Sequence, residues 1–248
     1  MGWQPRPWAR TLAGAALLQA ALLILLSMIV GLGPVGWLAA AGYTAAVCLG
    51  LATGLRRAGR ISLGPADKVT LARSALVGCV TALVADRIQE PVPLVGLTLA
   101  ALALDGVDGW VARRTGTSSP LGARFDMEVD AFLLLVLSGC VALQLGPWVL
   151  AIGLMRYAFI AAGRMLAWMR TPVPSSWAGK VVAVVQGVVL VVATAGVLPP
   201  AVTAVAVAAA LAALAWSFGR SVLWLSRTRS ETGRGTRPSA TPAPAVRV

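Results

Sequence analysis

Asp105-Gly106-Val107-Asp108-Gly109-Trp110-Val111-Ala112-Arg113 is followed, after a turn-like Arg-Thr-Gly-Thr-Ser-Ser-Pro, by Gly122-Ala123-Arg124-Phe125-Asp126-Met127-Glu128-Val129-Asp130. This stretch carries five of the nine acidic residues of the chain, and the runs on either side are apolar enough to span a bilayer. At about 100° per residue, Asp105, Asp108, Gly109, Ala112 and Arg113 share one helical face. A second helix is expected to begin at Ser119, an N-cap with Pro120 at the first helical position. Its i, i+4, i+8 row carries Gly122, Asp126 and Asp130. Packed side by side as a hairpin, the two helices would bring four carboxylates together. Four unneutralised anions repel strongly, and an all-oxygen donor set suits Mg²⁺ or Mn²⁺ rather than zinc. The glycines and Ala112 lie on the same faces as the acids, where a missing side chain lets a bulky ligand approach the backbone.

Working outward, the composition is that of an integral membrane protein. The chain has 248 residues, of which 58% are hydrophobic and 12% charged, and its mean hydropathy is +0.82. The net charge of +12 comes from 21 basic residues, two of them lysines. These sit in short clusters beside apolar runs, which points to anionic lipid headgroups and away from nucleic acid. The chain contains no histidine, so any general base is a carboxylate and histidine-based zinc sites are excluded. Cys48, Cys79 and Cys140 are isolated in apolar runs and read as small hydrophobes.

The expected fold is all-α, a polytopic membrane bundle of six core transmembrane helices plus two N-terminal extra spans. The leading spans are placed at about Thr11–Leu32 and Val35–Leu55, and are read as extra anchors within residues 1–60. The core spans fall near Val69–Ala85, Val92–Arg113, Pro120–Leu143, Pro147–Arg170, Trp177–Ala195 and Pro199–Leu223, inside a domain of residues 61–226. The tail over 227–248, rich in Ser, Thr, Gly, Pro and Arg, is expected to be disordered. With both termini on the cytoplasmic side of the plasma membrane, each basic cluster, including 56–73, lies inside and the outer turns carry only Arg87. The carboxylates then lie near the cytoplasmic face.

Asp105, Asp108, Gly109, Ala112, Arg113, Gly122, Asp126 and Asp130 reproduce, without departure in spacing, the signature Asp-x-x-Asp-Gly-x-x-Ala-Arg-x8-Gly-x3-Asp-x3-Asp. On these residues the chain resembles the CDP-alcohol phosphatidyltransferases, of the phosphatidylglycerophosphate synthase or phosphatidylinositol phosphate synthase kind. The segment Ala66-Asp67-Lys68-Val69-Thr70-Leu71-Ala72-Arg73 resembles the Pro-Asn-x-Leu-Thr-x-x-Arg element of the same family, with Ala66, Asp67 and Val69 as departures. Ser175-Ser176-Trp177-Ala178-Gly179-Lys180 and the later Gln186 resemble a Ser-x-x-Gly-Lys segment of the phosphatidylglycerophosphate synthase branch, although Val182 and Ala183 replace its second Lys-Thr.

The resemblance implies transfer of a phosphatidyl or related group from CDP-diacylglycerol or another CDP-alcohol to a small polar acceptor alcohol, releasing CMP. It implies Asp105, Asp108, Asp126 and Asp130 as ligands of two Mg²⁺ or Mn²⁺ ions, with Asp130 also the base. It places Gly109, Ala112, Arg113 and Gly122 along the CDP site. Asp67 is read either as a ligand there or as a helix N-terminal carboxylate favoured by the macrodipole. Arg156, inside an apolar run, and Lys180 are the residues for a phosphorylated acceptor. A salt bridge to one of the motif acids is the alternative for Arg156, and a membrane-boundary position for Lys180. Homodimerisation is left open. The competing readings are a divalent cation transporter built on the carboxylates, and a catalytically inert scaffold, against which the complete motif argues.

Overall fold

Proline opens the helices and glycine closes them. The computed structural model describes residues 7–59, 62–88, 90–116, 119–166 and 177–234. Its helices are α1 (Pro7–Val30), α2 (Pro34–Arg57), α3 (Pro65–Ala85), α4 (Pro91–Thr115), α5 (Pro120–Leu145), α6 (Leu150–Met165), α7 (Trp177–Ala195) and α8 (Pro200–Arg234), with a 3₁₀ turn, Pro147–Val149, leading into α6. Proline stands at the first position of α2, α3, α4 and α5, where its missing N–H has no intrahelical partner to lose. Gly31, Gly59, Gly116, Gly146 and Gly196, just beyond α1, α2, α4, α5 and α7, take positive φ, which ends a helix without the strain a Cβ would bring. Among the described residues there is no strand.

Seven helices are long and apolar enough to cross a membrane, and α7 adds the shorter apolar stretch Val181–Ala195. Large side chains such as Leu17, Met28, Leu38, Val92 and Trp216 stand exposed on the outside of the bundle, as lipid-facing residues do. The expected sixth span reached Arg170; α6 ends at Met165 and residues 167–170 lie outside the described residues. Helix α8 runs on to Arg234, past residue 227 where the tail was expected to start, and residues 235–248 lie outside the described residues.

Helix α3 is the axis of the molecule. In its apolar window 61% of residues are buried, more than in any other span. It packs against α1, α2, α4 and α5, and its Val77, Val80, Ala82 and Leu83 meet Leu23 and Leu26 of α1, Ala40 and Tyr43 of α2, Leu94 of α4 and Leu137 of α5. The two leading spans are therefore part of the bundle. Lipid tails are as apolar as leucine, so close contact rather than the hydrophobic effect must hold these helices together. Gly78 of α3 supplies one such contact, because the Gln19 side chain of α1 fills the place of its missing Cβ. Gln19 Nε2 then donates to the Ala40 carbonyl of α2 at 3.2 Å.

The sequence pattern led us to expect α4 and α5 side by side. They share no extended face: α4 packs on α3 and α7, and α5 packs on α3, α6 and α7. Helix α3 is wedged between them, packed on both, and its Arg73 reaches acids of each.

Asp86, at the end of α3, caps α2. Its carboxylate accepts hydrogen bonds from the Gly33 N–H and, at 3.2 Å, from the Gly36 N–H, two groups with no partner inside the helix. Asp86→Ala is expected to cost about 1 kcal/mol, as loss of a cap does. It would show as a lower midpoint of thermal unfolding in detergent, with Asp86→Asn retaining most of the stability.

Candidate active site

Three helix segments meet at one end of the bundle: the first turns of α3, the second half of α4 and the first half of α5. At the N-terminus of α5 the Ser119 hydroxyl accepts from the Gly122 N–H at 3.0 Å. This is the cap expected from Ser119-Pro120, and it sets the rotation of the row that carries Gly122, Asp126 and Asp130. At its C-terminus α4 ends on Gly116 with φ 61°, which leaves Asp105, Asp108, Gly109 and Arg113 on continuous helix.

The four aspartates converge on Arg73 of α3. Its guanidinium is 1% exposed and reaches all of them: Nη1 pairs with Asp105 and lies 3.4 Å from Asp108 Oδ2, while Nη2 lies 2.6 Å from Asp126 Oδ1 and 3.2 Å from Asp130 Oδ1. Nη2 also donates to the Asp126 backbone carbonyl at 3.3 Å. Asp108 is buried, and the Thr70 hydroxyl, one turn before Arg73, donates to its Oδ2 at 3.0 Å. Asp105 and Asp130 are 41% and 45% exposed in their side chains, and Asp126 32%. The cluster is thus anchored at Asp108 and open at the others.

Carboxylate oxygens of Asp105, Asp108 and Asp126 lie within 4.8 Å of one another. With four carboxylates against one guanidinium, the group carries surplus negative charge. A hard divalent cation with oxygen ligands fits that donor set. Beside Asp105 and Asp130 opens a cavity of about 160 Å³, walled by Leu102 of α4, Leu134 and Leu137 of α5, and Val184, Gly187 and Val188 of α7.

The small residues have more specific neighbours than their positions suggested. A Cβ on Gly109 would stand 3.3 Å from Arg113 Nη1, so the exposed Arg113 folds back across Gly109, while Ala112 on the same face is half-buried. The space left by Gly122 holds the Asp67 carboxylate. Asp67 is buried in the first turn of α3, where its Oδ2 accepts from the Gly64 N–H at 3.0 Å. This is the helix-terminal role weighed for it.

Arg156 is not brought to the four aspartates. Its Nη2 donates to Glu128 Oε1 at 2.8 Å, and Glu128 points about 200° around α5 from Asp126. The salt bridge expected for Arg156, to one of the motif acids, does not form: its partner is Glu128, outside the eight motif positions, because the motif acids are taken by Arg73. Gln186 is buried and donates to the Ala210 carbonyl at 2.6 Å, tying α7 to α8. Ser175 and Ser176 lie outside the described residues, and so does the Lys180 side chain, although its backbone belongs to the first turn of α7.

Arg73 and Thr70 are the site residues that sequence reasoning passed over. Arg73 was grouped with the interfacial basic cluster 56–73, whereas the structure buries it. The signal was present: an arginine nine residues into an apolar helix needs a buried partner.

Residues 64–219 match the family model described as CDP-alcohol phosphatidyltransferase. Among curated proteins, the chain is similar to a cholinephosphotransferase 1 from Gallus gallus, 39% identical over 83 residues, which covers 29% of this chain and 25% of that protein. The chain therefore spans about a quarter of the length of that relative. No solved structure matches.

Removing the buried cation should expose the repulsion it offsets. Arg73→Met is expected to destabilise the fold by about 3 kcal/mol, the scale for breaking a buried ion pair from one side. Millimolar Mg²⁺ should recover part of that loss in thermal unfolding. A variant as stable as the parent in the presence of chelator would mean that Arg73 does not balance the cluster.

Proposed function

The chain belongs to the CDP-alcohol phosphatidyltransferase family, and from that premise we propose that it moves a phosphatidyl or related phosphoalcohol group from a CDP-linked donor, such as CDP-diacylglycerol, to an acceptor alcohol, with CMP as the leaving group. The observation that carries this reading is the convergence of Asp105, Asp108, Asp126 and Asp130 beside an apolar cavity. Acyl chains suit the walls of that cavity and a pyrophosphate suits its charged mouth. A path for hydrated cations would need polar walls, so the leucines and valines there count against the transporter reading.

Asp105, Asp108 and Asp126, with Asp130, are the residues that would hold Mg²⁺ or Mn²⁺, two ions in our reading. Such ions would offset the charge on the pyrophosphate oxygens and on the departing phosphate. Asp130 would take the proton of the acceptor hydroxyl, a role supported by its being the most exposed of the four. The acceptor oxygen then bonds to the phosphorus nearer the transferred group, the bond from that phosphorus to the bridging oxygen breaks, and CMP leaves with the bonding pair. Arg113, folded over Gly109, is positioned to follow the CDP moiety, with Ala112 beside it and Gly122 on the facing helix. Asp67 contributes by holding the start of α3. Arg73 keeps three helices in register and its charge lies within reach of the same oxygens.

For a phosphorylated acceptor, Lys180 and Arg156 are the residues on offer, and Arg156 would first have to release Glu128. The basic clusters near residues 56 and 113 support a cytoplasmic site with both termini inside. The cholinephosphotransferase similarity supports testing the reverse arrangement as well, in which the CDP-linked group is a small alcohol and the acceptor a lipid hydroxyl.

The test is CMP release by the purified chain with Mg²⁺ or Mn²⁺. One arm pairs CDP-diacylglycerol with single candidate alcohols, and the other pairs CDP-choline with diacylglycerol. Release with one pair is expected, abolished by chelator. Asp126→Ala and Asp130→Ala should each lower it about a thousandfold. Folded protein that binds Mn²⁺ but releases CMP from neither donor would overturn the assignment.

A further inference from the structure

On the far side of α5 from the aspartates lies a cavity of about 650 Å³ between α2, α5 and α6, and nothing in the proposed chemistry uses it. Helix α2, which forms one wall, lies outside the residues matched to the family. The lining residues on α2 run from Leu38 to Leu51 and those on α5 from Leu121 to Phe132. At 1.5 Å per residue the groove is about 18 Å long. Half of a hydrocarbon core of about 30 Å is close to that length. The groove is therefore about as long as one leaflet is thick.

Its two ends differ. The deep end is flanked by Leu38 and Phe132, and Gly42, whose added Cβ would meet nothing within 4 Å, keeps the channel clear. The shallow end, near Gly50, carries Arg124 and Glu128. Arg156 already neutralises Glu128, whereas Arg124 makes no ion pair among the described residues. The mouth is thus net cationic. Part-way down, Tyr43 lines the cavity and stacks on Phe132 with ring centroids 4.7 Å apart. Tyr43 is more than nine-tenths buried, yet its hydroxyl has no hydrogen-bond partner. That hydroxyl is sealed off, so the groove meets the ring of Tyr43 and not its polar end.

We propose that this groove is a binding site for one anionic glycerophospholipid of the surrounding leaflet. One acyl chain lies between α2 and α5, over the ring of Tyr43, and its phosphate sits on Arg124. The occupant is a resident lipid, separated from the reacting donor by the width of α5. The site stands whether or not the chain is a transferase. It also gives α2 a use, since α2 forms one of the walls of the groove.

The full-length chain, delipidated in mild detergent, is incubated with micelles containing phosphatidylglycerol or phosphatidylcholine of equal chain length and examined by native mass spectrometry. One phosphatidylglycerol is expected per chain, retained in preference to phosphatidylcholine. Gly42→Leu and Ala46→Leu, which fill the groove, should each weaken retention about tenfold. Arg124→Gln should bring the two lipids to parity. Gly14→Leu, at an exposed glycine of α1 with open space around it, serves as the matched control and should retain lipid as the parent does. Equal binding of the two lipids by the parent, or parental retention in Gly42→Leu and Ala46→Leu, overturns the proposal. So does a shift from dimer to monomer in those variants with the lipid count unchanged, which would assign the groove to a second copy of the chain.

Discussion

One guanidinium holds the functional end of this molecule together. A charge inside a membrane bundle is costly unless it is paired, and Arg73 is paired with carboxylates from two other helices. That requirement ties the rotation of α4 to that of α5 through α3, although α4 and α5 share no extended face. It also explains why the most buried helix carries an arginine in an otherwise apolar middle. The balance is deliberately incomplete in electrostatic terms: one positive charge faces four negative ones, so the cluster stays receptive to further cations. A fully neutral network would lack that surplus charge.

The surroundings divide the four carboxylates between two duties. Asp108 is sealed between Thr70 and Arg73 and acts as the fixed point. Asp105 and Asp130 border the small apolar cavity, where charge meets space fit for a lipid chain. Precise placement of a reacting group requires support from a rigid framework. The Ser119 cap at the start of α5 and the buried Asp67 against Gly122 supply it. Helix α5 also separates two environments. Its Asp126 and Asp130 row faces α3 and α7, and its Arg124 and Glu128 side faces α2 and α6.

Much of the architecture is written in local chemistry. Pro34, Pro65, Pro91 and Pro120 start helices because a proline fits the first turn, and Gly116 or Gly196 stops one because an achiral residue turns the chain left-handed without strain. Apolar length marks the spans, and the four-residue spacing of Gly122, Asp126 and Asp130 puts them on one face of whatever helix they form. Each of these properties depends on a residue and its near neighbours in the chain, so the sequence alone determined them, together with the motif that identifies the family.

What neighbours a face would meet was decided only by the tertiary structure. Periodicity shows that the aspartates of each helix point one way, but not that α3 would lie between the two helices, nor that Arg73 would be the residue waiting there. Arg156 and Glu128 are 28 positions apart and Gln19 and Ala40 are 21 apart, so no local rule pairs them. The leading spans look like separate anchors when read as hydropathy, and become a wall of the bundle through Gly78 and Ala40. Helical pattern fixes direction around an axis, whereas contact depends on how closely backbones can approach, and that closeness is set jointly by small residues on different helices.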